Sequence, residues 1–94
     1  MIRHVIMWKF KEEEQENMKK FLAGLQALDG VIPESLRMEI GINCKDGTNF
    51  DACLIADFED FEALDRYKND PRQVAGSSLC KSIRTARGAV DFEI

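Results

Sequence analysis

The feature that most restricts the fold of this chain is a short strand near its start with apolar side chains on both faces. Residues 3 to 10, RHVIMWKF, form a short stretch rich in β-branched and aromatic residues, which predicts a strand. Ile6 and Trp8 point to one side, and Val5 and Met7 to the other, because side chains alternate along a strand. Something must therefore cover each face of the sheet that contains this strand.

The segment that follows has a helical period. From Glu12 to Asp29 the apolar residues recur three or four positions apart, which predicts one buried stripe on an amphipathic helix. Gly30 is placed to end this helix, and Pro33 prevents an early restart. The predicted stripe consists of Met18, Phe21, Leu22, Leu25 and Leu28.

The middle of the chain predicts a hairpin. Residues 36 to 43 alternate between apolar and polar side chains, as expected for a half-buried strand. Asp46 and Gly47 lie at the centre of a turn, and residues 51 to 58 form the partner strand. The two strands are therefore expected to pair in the antiparallel direction.

Two helices and a final strand complete the chain. Asp60 can cap a second helix, and Asp70 with Pro71 begins a third, short helix. A last strand is expected from 89 to 94, after Gly88. The apolar stripe of the second helix is predicted to be Phe61, Leu64 and Tyr67.

The order of these elements, β-α-β-β-α-β, predicts an α+β fold of the ferredoxin-like type, with a four-stranded antiparallel sheet and its helices on one face. We expect one domain that spans 1–94, because so short a chain has little room for a second core. Helices on one face leave the other uncovered, so a second copy of the chain is expected to cover it in a homodimer. A polar substitution at Trp8 is expected to disrupt this dimer and the fold.

Composition excludes several classes of protein. The net charge is -4, with acidic and basic residues mixed, so no basic face is expected for nucleic acid or for an anionic membrane. No apolar run approaches the roughly 20 residues of a membrane span. No signal peptide is recognised, and we expect a cytoplasmic protein.

Cys44, Cys53 and Cys80 lack the spacing of a zinc site and are expected to be reduced thiols. No motif predicts a cofactor or a metal.

His4 and Tyr67 are the candidate catalytic residues. His4 is the only histidine, and it is the natural general acid or base because histidine titrates near neutrality. Tyr67 could donate a hydrogen bond to an oxyanion. The alternatives are a histidine satisfied near a strand end and a tyrosine with its hydroxyl in water. Acidic residues on the strands are expected to face solvent or to pair with arginines: Glu39, Asp51, Asp57, Asp91 and Glu93.

Several short motifs resemble the stress-responsive A/B barrel (Dabb) family. The opening IRHVIMWKFK, with a histidine just inside the first strand, is similar to the start of these domains. The resemblance implies a ferredoxin-like dimer whose two sheets pack face to face as a dimeric α/β barrel. It extends over essentially the whole chain, at Ile32-Pro33, Glu39-x-Gly41-x-Asn43, Tyr67 shortly before Pro71, and Val90-Asp91-Phe92-Glu93.

The resemblance also implies candidate site residues. A plant member of the family is a polyketide cyclase that catalyses an intramolecular aldol condensation. It uses a histidine on the first strand, a tyrosine on the second helix and a further histidine just after the proline of a His-Pro-x-His motif. His4 and Tyr67 match the first two. The third is missing, because residues 70 to 73 read DPRQ, and Gln73 can form hydrogen bonds but cannot act as a base.

The leading expectation is a homodimeric A/B barrel protein with no assigned reaction and a small apolar ligand cleft, in which Ile6, Trp8 and Gln73 lie near His4 and Tyr67. One alternative is a cofactor-independent cyclase, lyase or oxygenase that acts on a hydrophobic, polyketide-like carbonyl compound. His4 would then be the base, and Tyr67 would polarise the carbonyl. The other alternative is a non-catalytic binding or interaction module. A haem-degrading protein is less favoured, because it would depend on His4 alone as the ligand of the haem.

Overall fold

The fold is the predicted ferredoxin-like arrangement, seen in a computed structural model that describes all 94 residues. The strands form one sheet in the order β2-β3-β1-β4, and every neighbouring pair is antiparallel. A short 3-10 turn at Glu12–Glu14 precedes the first helix. The elements are β1 (Ile2–Phe10), α1 (Gln15–Gln26), β2 (Arg37–Ile42), β3 (Ala52–Phe58), α2 (Phe61–Asn69), α3 (Pro71–Ile83) and β4 (Arg84–Glu93).

The core lies between the sheet and the three helices. Trp8 of β1 packs edge-on against Phe21 of α1, with 5.2 Å between the ring centroids, and Phe10 lies beside both rings. Edge-to-face aromatic pairs add to the stability that burial already provides. Trp8 is therefore a core residue, and the expectation that its substitution acts through a dimer interface is wrong. A polar group there would act on the fold of each chain.

No element of the chain covers the other face of the sheet. Val5 lies in the centre of this open face, with Ile55 of β3 on one side and Val90 of β4 on the other. Met7 and Phe92 belong to the same face and are well exposed. The uncovered apolar surface that the sequence predicts is present.

A charged pair borders the apolar part of the open face. Arg3 donates from Nε and from an Nη atom to the two carboxylate oxygens of Asp57, at 2.8 and 3.0 Å. Asp57 is buried, and its hydrogen bond with Arg3 holds the pKa of this carboxyl below its usual value. The expectation that this acidic group pairs with an arginine is confirmed, although Arg3 rather than Arg37 is the close partner.

The first helix is shorter than its apolar period suggested. It ends at Gln26 instead of Asp29, because the next turns tighten to bonds between residues three apart, from Leu28 N to Leu25 O and from Asp29 N to Gln26 O. Gly30 has a φ of 77°, so it serves the turn after the helix rather than the helix end itself.

The last strand begins earlier than predicted. It starts at Arg84, directly after α3, and Gly88 lies within it. The reason is pairing, since the register with β1 continues to Trp8 opposite Arg87 and Phe10 opposite Arg84. Ladder hydrogen bonds thus extend the strand beyond the segment that its apolar residues mark.

The second and third helices begin where the sequence predicts. The Asp60 carboxylate accepts a hydrogen bond from the backbone N–H of Ala63 at 2.8 Å, and Asp70 does the same for Arg72 at 2.9 Å. Phe61 is an exception to the predicted stripe because it is 56% exposed, and Ala63 is buried with Leu64 and Tyr67 instead. No helix has the length and apolar character that crossing a membrane requires.

Candidate functional site

A cavity of about 220 Å³ lies between the helix-covered face of the sheet and the helices. Its volume corresponds to about seven water molecules at the density of liquid water. This is enough room for a small organic compound. The apolar part of its wall comes from β1, α1 and β3 and consists of Ile6, Trp8, Phe21, Leu25 and Leu54.

The structure brings together the five residues that the sequence suggested for a site. His4, Ile6 and Trp8 line the cavity from β1, Tyr67 from α2, and Gln73 from the first turn of α3. The expectation that His4 points away from bulk water is confirmed, since it is 2% exposed. The catalytic and binding roles of these residues remain predictions.

His4 is held by a carboxylate that sequence reasoning assigned to solvent or to an arginine. Antiparallel pairing of β1 with β4 places Asp91 directly opposite His4. The Asp91 Oδ1 atom is hydrogen-bonded to Nδ1 of the imidazole. Because a carboxylate accepts, Nδ1 carries the proton in the neutral ring, and Nε2 keeps a free lone pair. Nε2 forms no hydrogen bond within the chain.

Burial makes His4 a neutral base. The loss of solvent around the imidazole lowers its pKa below the usual 6.5, and this effect exceeds the opposing effect of Asp91. The positive charges of Lys68 and Arg87 lower it further. His4 is therefore unprotonated at neutral pH, which is the state that a general base requires.

Tyr67 lines the same cavity and has a hydroxyl without a partner. The side chain is 1% exposed and packs against Phe58, with 5.1 Å between the ring centroids. Its hydroxyl oxygen is buried and has no hydrogen-bond partner in the chain. Burial, together with the negative charge of Asp70, raises the pKa of Tyr67 to about 12. The hydroxyl thus stays protonated at neutral pH and is a donor without an acceptor.

The remainder of the cavity wall is polar and positively charged. Gln73 and Ser77 of α3 supply neutral polar groups. Three cations also line the cavity, one from α2 and two from β4: Lys68, Arg84 and Arg87. No carboxylate belongs to the wall itself. Cys80 also lines the cavity, but burial raises the pKa of its thiol, which disfavours the nucleophilic thiolate.

Sequence reasoning missed Asp91 and the cations. Asp91 was placed on the polar side of the last strand, but that side faces the helices near His4. Asp51 lies just before β3 rather than on a strand, and it accepts a hydrogen bond from the backbone N–H of Phe10 at 2.8 Å. The register between β1 and β4 is the signal that identifies Asp91, and it requires the pairing of residues 87 positions apart.

A family model agrees with the motifs noted in the sequence. The model of the Stress responsive A/B Barrel Domain matches residues 2–94. The chain belongs to this family. Among curated proteins, none matches the sequence significantly.

Solved structures with the same fold include proteins of unknown function and enzymes. A dimeric protein of unknown function from Bacteroides fragilis has a TM-score of 0.91 and 22% identity, with 99% of this chain and 95% of that chain covered. A dimeric protein of unknown function from Thermobifida fusca has a TM-score of 0.88 and 21% identity, with coverages of 99% and 90%. Hydroxynitrile lyase from Passiflora edulis has a TM-score of 0.85 and 13% identity, with coverages of 99% and 92%.

The unpaired hydroxyl of Tyr67 leads to a prediction for stability. Tyr67→Phe should raise the free energy of unfolding by about 1 kcal/mol, because it removes a buried polar group that has no partner. Urea unfolding at fixed protein concentration measures the change. Ser35→Ala is the control, since the buried Ser35 hydroxyl donates to the carbonyl of Arg37, and its removal should be destabilising. A loss of stability in Tyr67→Phe would mean that the hydroxyl is satisfied after all.

Proposed function

We propose that the chain forms a homodimer through the open face of its sheet and binds a small hydrophobic carbonyl compound in the cavity beside His4 and Tyr67. The observation that carries the ligand proposal is the buried hydroxyl of Tyr67, which lacks an acceptor within the chain. No reaction is assigned to this leading proposal. The cytoplasm remains the expected compartment, which is consistent with three free cysteines.

The open face supports the homodimer. Val5 and Ile55 occupy its centre, and Met7, Val90 and Phe92 are exposed on it. Monomeric proteins seldom leave a large continuous apolar patch in water. The Bacteroides fragilis and Thermobifida fusca proteins of the same fold are dimeric. A two-fold axis would place the same surface of each chain against its partner.

The chemistry of the cavity supports a carbonyl ligand. Trp8 and Phe21 contribute aromatic side chains to the wall, while Tyr67 and Gln73 supply hydrogen-bonding groups. A wall that combines apolar and aromatic side chains with placed polar groups is typical of small-molecule sites. A ketone oxygen close to Tyr67 would accept the hydrogen bond that the protein leaves unmade. Binding would thereby remove the cost of a buried, unsatisfied donor.

A second candidate function is proton abstraction next to that carbonyl. His4 is neutral and is oriented by Asp91, so it would supply the base that the reaction needs. Its Nε2 atom would take a proton from the carbon beside the carbonyl, and the electron pair would move to the oxygen held by Tyr67. Such a step belongs to cyclases and lyases alike. The Passiflora edulis protein is a lyase on this fold.

The dimer is tested with two matched valine substitutions. Val90→Asp places a charge on the open face, whereas Val74→Asp places it on the exposed surface of α3, away from that face. The native protein and Val74→Asp should sediment with about twice the 10.7 kDa mass of one chain. Val90→Asp should sediment as a monomer or lose the fold. A native protein that sediments as a folded monomer at micromolar concentration contradicts the proposal.

The ligand proposal is tested with acetophenone, a small aromatic ketone. Trp8 is the only tryptophan and lines the cavity, so its fluorescence reports binding at this site. Acetophenone should bind the native protein more tightly than ethylbenzene, which lacks the oxygen. Tyr67→Phe should weaken the binding of acetophenone about fivefold, which corresponds to about 1 kcal/mol, and leave the binding of ethylbenzene unchanged. Equal binding of both compounds to both proteins would assign Tyr67 to packing.

The second candidate is tested by hydrogen exchange. In D₂O the protein should accelerate the replacement of the methyl protons of acetophenone by deuterium. NMR measures the rate of this exchange. His4→Gln should abolish the acceleration, because glutamine cannot take up a proton. The rate should fall as the pH is lowered through the pKa of His4, which lies below 6.5, since protonation removes the base. Exchange no faster than in buffer would reject the catalytic role and leave the binding proposal intact.

A further inference from the structure

Three positively charged side chains line the cavity. Lys68 reaches it from α2, and Arg84 and Arg87 reach it from β4. The register explains the position of the arginines. Arg87 lies opposite Trp8 and Arg84 opposite Phe10, so both arginines belong to the helix-covered side of the sheet rather than to its open face.

These cations are not paired with carboxylates. Arg3, Arg37 and Arg72 each form an ion pair with an Asp or Glu side chain, whereas Arg84 and Arg87 form none. Lys68 has no carboxylate partner either. This concentration of unpaired positive charge lies in a chain whose net charge is -4.

The carboxylates nearest the site are already engaged. Asp91 is bonded to His4, and Asp70 is held by Arg72 through Nε and an Nη atom at 2.9 and 2.8 Å. Neither contributes to the cavity wall. The wall therefore carries unpaired positive charge, and it includes Tyr67, whose hydroxyl is a donor with no acceptor.

We propose that the ligand of this cavity carries a carboxylate, which binds to Arg84 and Arg87 with support from Lys68, while its carbonyl oxygen accepts the hydrogen bond of Tyr67. The inference rests on the proposed function and adds the charge of the ligand to it. Guanidinium groups bind carboxylates with two parallel hydrogen bonds, so arginine gives geometric selection as well as charge. The cavity volume suits a small acid, of the size of a substituted benzene ring.

The experiment compares charged and neutral forms of one compound. The probes are 3-acetylbenzoate and 4-acetylbenzoate, each with its amide, which keeps the ring and the ketone and removes the charge. Binding is followed by the fluorescence of Trp8. Of the two acids, the one with the higher affinity should bind at least about tenfold more tightly than its own amide, as expected for hydrogen bonds between charged groups. Added salt should weaken the binding of the acid and leave the binding of the amide unchanged.

Substitution of the arginines identifies the group responsible. Arg87→Gln and Arg84→Gln should each reduce the affinity for the acid, and the double variant should make the acid and the amide equal. Arg66→Gln is the matched control, because Arg66 is an exposed α2 residue without an ion pair and lies outside the cavity. Far-ultraviolet circular dichroism verifies that each variant folds.

The outcomes separate the two proposals. If each acid and its amide bind equally and the arginine variants change nothing, the carboxylate inference is wrong and carbonyl binding stands. If acetophenone, the acids and the amides all fail to bind, the proposed ligand function fails and the inference fails with it. Tighter binding of the acid that survives the double substitution also overturns the inference, because the charge would then be recognised elsewhere.

Discussion

The central strand β1 determines the rest of the structure because it is bonded on both edges and apolar on both faces. It lies between β3 and β4, and its alternating side chains supply the core on one side and the open face on the other. The same alternation places His4 on the side of Ile6 and Trp8. A register slip of one residue would move His4 to the open face and expose the tryptophan, so the burial of the core also fixes the position of His4.

The two candidate catalytic side chains of the cavity differ in how their polar groups are satisfied. Tyr67 lies in the last turns of a helix that Asp60 caps, and its ring packs on Phe58 while its hydroxyl remains without a partner. A phenylalanine would fill the same space without that cost. His4, by contrast, has Asp91 as a partner, which fixes the ring and leaves one nitrogen free. The two residues thus offer a donor and an acceptor to the same volume.

Local signals in the sequence were sufficient for the element order and the helix caps, whereas the grouping of His4 with Tyr67 came from the resemblance to the A/B barrel family. Asp60, Asp70 and Pro71 act on neighbouring backbone groups, so their effect can be predicted from adjacent residues. The role of Asp91 could not be predicted in this way, because it depends on the register of two strands at opposite ends of the chain. The early start of β4 has the same origin. Phe61 fits a helical stripe by spacing, but the surface under the first turn of α2 is covered by Ala63 instead.

The cations near the cavity connect ligand binding to the base. Burial lowers the pKa of His4, and the charges of Lys68 and Arg87 lower it further and so oppose its protonation. A carboxylate held by Arg84 and Arg87 would offset these charges and make the imidazole more basic. The ligand that such a site attracts would therefore also strengthen the base that faces it. Because the coupling is reciprocal, protonation of His4 would in turn favour the anionic ligand over a neutral one. The charge distribution would thus distinguish an acid from its neutral analogue both in binding and in the state of His4.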